Sequence, residues 1–436
     1  MIFSHDFCTI ETQFADPNKT NFFHMSVPLD RLYHYLDDCV NHDLVIYRWM
    51  PHGSRKLEDL EPLYTHTAVQ NITNPTVICH DQEPLSWEFY TRENIKNQIR
   101  KNCLYSDSGP RKEGYNLDWM INVRVLEYMA DQHIRSLTTC INQFDLTLLL
   151  HSELNSNQVA KFSLNGFVPV YFWSHAMIAQ DWFRYARHDP TLILDMLNIQ
   201  KDFLIYNRAW SGTREYRLYF TEQLVNQKLL DRTQVKFNPV DEHHHHYTQH
   251  VFKNKNLQIT NFTLEHYLQP TSATATASAD YVSKDYASTA IEVVLETLFD
   301  DDRLHLTEKT LRPIACGKPF MLAATPGSLQ YLRDYGFETF AELIDESYDT
   351  ITDSKHRLDA IVAEMKRIAA LDADAKQILY TKLHEIAQRN KQRFFTGLVD
   401  QVMSEYKTNL DQAMIVMQQH CTGHHRTVIN QLLQQN

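Results

Sequence analysis

What most restricts the fold of this chain is a repeated alternation. A short apolar run is followed by a polar turn and then by a stretch with helical spacing. The runs are HDLVIYRWM (42–50), TVICHDQEPL (76–85), FDLTLLLHSELNS (144–156), FVPVYFWSHAMIAQDWFRYA (167–186), DFLIYNRAW (202–210), TAIEVVLETL (289–298) and KPFMLAA (318–324). A strand with one wet face alternates apolar and polar residues. These runs are apolar throughout, as strands buried on both faces of a parallel sheet must be. The expected class is α/β.

With 436 residues the chain exceeds the usual size of one core, so two domains are expected, of roughly 200 residues each. The segment RHDPTLILDMLNIQK, near 190–201, is the expected joint. It gives a first α/β domain over 1–195, a second over 196–395 and a helical C-terminal extension over 396–436. Residues 271–288, TSATATASADYVSKDYAS, are small and polar and read as a surface loop. From about 354 onward the spacing is helical.

Composition excludes several classes. The net charge of −12 disfavours a broad grip on nucleic acid, although residues 91–112 carry Arg92, Lys96, Arg100, Lys101, Arg111 and Lys112 on one stretch. The 7 cysteines are scattered without a CxxC pair, which reads as reduced thiols. No signal pattern opens the chain and no run reaches membrane-spanning length, so a cytoplasmic protein is expected, in the bacterial host cytoplasm if phage-encoded. No phosphate-binding glycine loop is present.

In open parallel sheets, ligands bind beyond the carboxyl ends of the strands. The residues following the runs are polar: His80-Asp81-Gln82-Glu83, His151-Ser152-Glu153, Ser174-His175, Asn207-Arg208 and Thr307-Glu308-Lys309. Thr307 has the chemistry of an N-cap, and Glu308 and Thr310 suit a first helical turn. A helix start offers N–H groups and partial positive charge to an anion, Lys309 adds a full charge, and Glu308 can accept from ribose hydroxyls. Pro313 must kink or delimit that helix.

The block around it, E-T…L-T-E-K-T-L-R-P-I-A-C-G-K-P-F…P-G-S-L…L…G-F-E-T-F, resembles the donor half of a group of phage, viral and bacterial glycosyltransferases. More distantly it is similar to the fucosyltransferase type of the GT-B fold. IYNRAWSGTREYRLYF (205–220) and IAQRNKQRFF (386–395) resemble the first strand and helix and the terminal helix of that donor half, and HDQEPL (80–85) and HSELNS (151–156) resemble pieces of the acceptor half. The resemblance spans roughly residues 75–395. It implies two Rossmann-like domains facing a cleft and a transferase that takes a nucleotide-sugar as donor substrate, with no permanently bound cofactor and no required metal.

On that reading Lys309, with Arg208 or Arg214, neutralises the departing diphosphate in place of a cation, while Thr307, Glu308 and Thr310 complete the donor site. A general base on the acceptor side falls to Asp81 or Glu83, with Glu153, His80 and His175 as further acceptor-side candidates. The acceptor is a glycan or lipid-linked sugar. One alternative is a hydroxymethylated DNA base flipped from the duplex. Another is a non-catalytic sugar- or nucleotide-binding protein.

A metal-dependent design would use Asp300 and Asp302 in FDDDRLH. The histidines of DEHHHHYTQH (His243, His244, His245, His246 and His250) have no carboxylate or cysteine completing a ligand set, and read as a solvated loop.

Overall fold

The computed structural model of the protein describes residues 2–4, 44–48, 76–80, 84–87, 105–106, 109–110, 146–164, 167–241, 245–261, 263–264, 268–270 and 280–420. The chain divides into two units: Met1–Ser174 together with Val402–Asn436, and His175–Gln401. Each holds a five-stranded parallel sheet, and the class is α/β with a helical C-terminal region.

In the first unit, β1 (Ile2–Ser4), β2 (Leu44–Arg48), β3 (Thr76–His80), β6 (Leu146–His151) and β7 (Val168–Tyr171) lie side by side in chain order. A short antiparallel pair, β4 (Tyr105–Ser106) and β5 (Gly109–Pro110), stands apart from that sheet. Leu148, Leu150, Val170 and Phe172 are fully buried in its core. Helix α1 (Asn157–Leu164) follows β6. The run 167–186 divides at Tyr171, and α2 (Ser174–Trp182) begins where the Ser174 amide donates to Ser152 Oγ at 3.0 Å. The part of α9 (Leu398–His420) from Val402 on packs here. Tyr406 meets Phe172 edge-on, and Asn409 Nδ2 donates to the Tyr171 carbonyl at 2.8 Å.

The second unit has the strand order β10-β9-β8-β11-β12, every neighbour parallel. The strands are β8 (Lys201–Asn207), β9 (Thr233–Phe237), β10 (Gln269–Pro270), β11 (Thr289–Leu295) and β12 (Phe320–Ala323). The chain moves outward from β8 to β10, then returns to the other side of β8 with β11 and β12. Right-handed crossovers therefore put the helix after β8, α3 (Tyr216–Asn226), and the helix after β11, α5 (Glu308–Cys316), on opposite faces. Helix α7 (Ser354–Ala369) lies against α3, and α8 (Ala373–Thr396) against α5. Every residue of β11 is buried, as a sheet covered on both faces requires.

Strand β9, TQVKF, escapes the all-apolar pattern because it alternates buried and half-buried residues. Residues 190–199 form two 3-10 turns, begun by Asp189 and Asp195 accepting from the Thr191 and Leu197 amides. The region of 271–279 lies outside the described residues. Pro313 sits inside α5 without ending it. The helix closes at Gly317, whose φ of 66° is left-handed and where a Cβ would run into the Gln388 amide. Among the described residues no helix is long and apolar enough to cross a membrane.

Lys318 follows that turn and is buried, its Nζ donating to the carbonyls of Tyr286 (2.5 Å) and Thr289. Burial pushes its pKa down to about 7, and a neutral amine has two N–H groups for two carbonyls. The unfolded chain holds this proton up to its ordinary range near pH 10.5, so the group opposes folding below pH about 7 and that penalty fades as pH rises between the two values. Chemical denaturation of wild type and Lys318→Met should show the wild type gaining about 2 kcal/mol relative to the variant between pH 7 and pH 9. Parallel pH profiles would contradict this.

Candidate functional site

The strand order of the second unit reverses between β8 and β11, so their carboxyl ends open the place where a doubly wound sheet takes its ligand. The residue leaving β11 is Glu296, whose side chain is wholly buried. A buried carboxylate costs several kcal/mol unless its oxygens are satisfied. Here Oε1 accepts from the amides of Thr307 (3.0 Å) and Thr310 (3.2 Å) and from Thr310 Oγ1 (2.6 Å). Oε2 accepts from Thr307 Oγ1 (2.8 Å) and the Thr297 amide (3.0 Å).

That geometry changes the expectation for the start of α5. Thr307 is the N-cap, its Oγ1 accepting from the Lys309 amide at 3.4 Å, and the Thr310 amide is turned to Glu296. These first-turn N–H groups are spent inside the protein rather than offered to a ligand. Thr307 and Thr310 are both buried and use their hydroxyls on Glu296. Glu296 was not singled out in the sequence, since the threonines that pair with it stand eleven and fourteen residues on.

Lys309 reaches back across this cap. Its Nζ donates to Glu308 Oε1 (2.8 Å), Thr297 Oγ1 (3.2 Å) and Thr307 Oγ1 (3.3 Å), with 21% of the side chain exposed. Glu308 is buried, and its Oε2 stands 4.0 Å from His175 Nε2. The His175 ring meets the His305 ring edge-on, centroids 5.2 Å apart. Glu308 and Lys309 in the first turn of α5, His305 just before it and His175 of α2 thus form one cluster. His305 was not singled out in the sequence, because a histidine beside three aspartates reads as loop.

The two arginines of the donor expectation stand on either side of the β8 turn. Arg208 lies 4.3 Å over the Tyr206 ring, and Arg312 of α5 lies 4.6 Å from the same ring. Burial and the neighbouring Arg312 charge lower the Arg208 pKa. Arg312 is buried too, but Glu292 (Nη2 to Oε1, 2.5 Å) and Tyr286 (Nε to the hydroxyl, 3.0 Å) hold it charged. Arg214 ends the 3-10 turn Gly212–Arg214, which Thr213 Oγ1 ties to the Thr297 carbonyl at 2.9 Å. Arg217 of α3 is buried and donates to the Leu295 (2.7 Å) and Glu296 (2.9 Å) carbonyls, locking that turn to the end of β11.

The acceptor-side expectations fall in the first unit, apart from His175. Asp81 and Glu83 lie outside the described residues, and His80 is the last residue of β3. Glu153 is buried, accepting from the Leu85 amide at 2.5 Å and from Ser156 Oγ, so it pins the turn after β6.

Asp300 and Asp302 do not converge. Asp300 accepts from Asn254 Nδ2 (2.8 Å) and Ser354 Oγ, while Asp302 is exposed. His243 and His244 lie outside the described residues. His245 pairs with Asp241, His246 caps a 3-10 turn and His250 Nε2 stands 3.0 Å from Glu215 Oε2. Among the described residues no group of three or more His, Cys, Asp or Glu is placed to hold a metal ion.

No protein-family model matches the chain, and no curated protein matches it. Among solved structures it is similar to an α,α-trehalose 6-phosphate synthase from Burkholderia multivorans, at 12% identity and a TM-score of 0.34, over 89% of this chain and 76% of that one. It is also similar to a GtfA/B complex, at 9% identity and a TM-score of 0.29, over 86% of this chain and 60% of the other. Likeness at this level carries no functional weight.

Glu296→Ala should remove one partner from five donors and leave several buried groups unpaired, at about 1–3 kcal/mol each. Equilibrium denaturation should show a loss of at least about 3 kcal/mol. A loss under about 1 kcal/mol would mean that the cap does not depend on this carboxylate.

Proposed function

We propose that the chain is a glycosyltransferase of the GT-B kind, moving a sugar from a nucleotide-sugar to an acceptor hydroxyl. The observation that carries the reading is Lys309. It is a part-exposed ammonium held by a carboxylate and two hydroxyls at the start of α5, beyond the strand end nearest the switch in strand order. A cation fixed in this way needs no reorganisation to meet an anion.

Breaking the bond between sugar and nucleotide leaves negative charge on the diphosphate. Lys309 receives it, with Arg208 and Arg214 as further cations and no divalent ion required. Because first-turn amides of α5 are engaged by Glu296 and Thr307, side-chain charge carries more of that work than the helix dipole. Glu308 accepts from the ribose hydroxyls. Asp81 or Glu83 takes the proton from an acceptor hydroxyl of a glycan or lipid-linked sugar.

A thermal-shift series with UDP, GDP and dTDP and their sugar conjugates, in EDTA, tests the donor reading. One nucleotide family should raise the melting temperature. For that family, Lys309→Ala should weaken binding by roughly 1.5–3 kcal/mol, about ten- to 150-fold. Unchanged affinity in a folded variant would remove Lys309 from the site, and silence across the series would remove the donor reading. Binding without sugar transfer to any hydroxyl acceptor would identify a binding protein instead.

A further inference from the structure

Among the described residues of the second unit, Asn207, Arg217 and Arg357 each leave one buried polar atom without a partner, whereas His305 leaves both of its ring nitrogens so. It is 2% exposed, and neither Nδ1 nor Nε2 meets a hydrogen-bond partner. A buried polar atom left in that state costs stability. Its ring contact with His175 returns part of that cost, and an apolar ring would give as much. A phenylalanine would fill the position at lower cost if the free protein were all that mattered. Its place is two residues before the Thr307 cap, beside the His175 ring that faces Glu308.

We infer that His305 is a recognition residue, its imidazole nitrogens completed by hydroxyl groups of the sugar that the nucleotide carries. A neutral imidazole presents one N–H and one lone pair on diverging sides of the ring, and a hydroxyl both donates and accepts, so a separate sugar hydroxyl can answer each. Phosphate is the poorer occupant, since the His175 ring on which His305 packs faces one oxygen of the Glu308 carboxylate, and Lys309 is bonded to the other. The inference rests on the transferase reading and adds to it the residue that separates a nucleotide-sugar from the bare nucleotide.

The test compares wild type, His305→Phe and His305→Gln with UDP against UDP-glucose, GDP against GDP-mannose, and dTDP against dTDP-glucose, by calorimetry and thermal melting. For the family that wild type binds, His305→Phe should keep its affinity for the free diphosphate and lose about tenfold or more for the sugar conjugate. Without ligand it should melt at or above the wild-type temperature. His305→Gln, which keeps a donor and an acceptor, should recover part of the lost affinity.

Wild-type affinity for the sugar conjugate in His305→Phe would overturn the assignment. So would equal losses for diphosphate and conjugate, or a fall in the unliganded melting temperature of both variants, which would mark a structural residue. If His305→Phe does not fold, His305→Gln decides by the same diphosphate-against-conjugate comparison. A wild type that binds none of the pairs overturns the transferase reading, and this inference with it.

Discussion

The carboxylate of Glu296 is the point on which the second unit turns. It has no access to water, and the groups that compensate it come from the next residue and from the beginning of α5. The same residue's carbonyl accepts from the Tyr216 hydroxyl at 2.7 Å and from Arg217, both on α3, and its amide donates to Ala323 at the end of β12. Two helices on opposite faces of the sheet and two strands are therefore indexed to one peptide. The position of Lys309 follows from this, since the hydroxyls that hold its ammonium belong to Thr297 and Thr307, and both of those residues bond to Glu296.

Using a buried carboxylate as the cap has an electrostatic consequence. A helix start is a weak anion site because of its free amides, and an internal anion there consumes it. What remains toward solvent is side-chain charge. Two guanidiniums, Arg208 and Arg312, share the Tyr206 ring, and the carboxylate of Glu292 is bonded to Arg312. Burial first, and then the Arg312 charge held close to it, lower the pKa of Arg208. On the transferase reading, a departing diphosphate relieves that repulsion as its own charge grows, which is when stabilisation accelerates a reaction.

Much of the architecture was legible because burial on both faces leaves a strong mark. LTLLLH, FLIYN and IEVVL could belong to little else than central parallel strands, and they are β6, β8 and β11. TQVKF was not legible, because half of each turn of its pleat is only partly covered. At the site, Glu308 and Lys309 stood out through the resemblance carried by the block around them. Glu292 and Glu296 did not, since the habit of reading IEVVLET as a strand hides two carboxylates that a core cannot leave alone. Their partners, Arg312 and the pair Thr307 and Thr310, lie on a helix that reaches them only once the crossover has closed. Pairings of this kind are properties of the fold, and no local window contains them.

The buried polar groups of this unit sort by whether they are answered. Asp202 takes Lys376 Nζ at 2.6 Å and the Tyr380 hydroxyl at 2.8 Å, tying α8 to the start of β8. Glu292 and Arg312 answer each other through α5 and β11, and Lys318 spends its amine on two carbonyls. Each of these networks is closed, so each can be explained by the folded chain alone. His305 is open at both nitrogens and packs on His175, which faces the Glu308 carboxylate bonded to the part-exposed Lys309. Stability alone favours the closed arrangement at every buried position. A position that keeps its polar atoms unanswered, next to a cation still partly exposed, is one where the completing groups come from outside the chain.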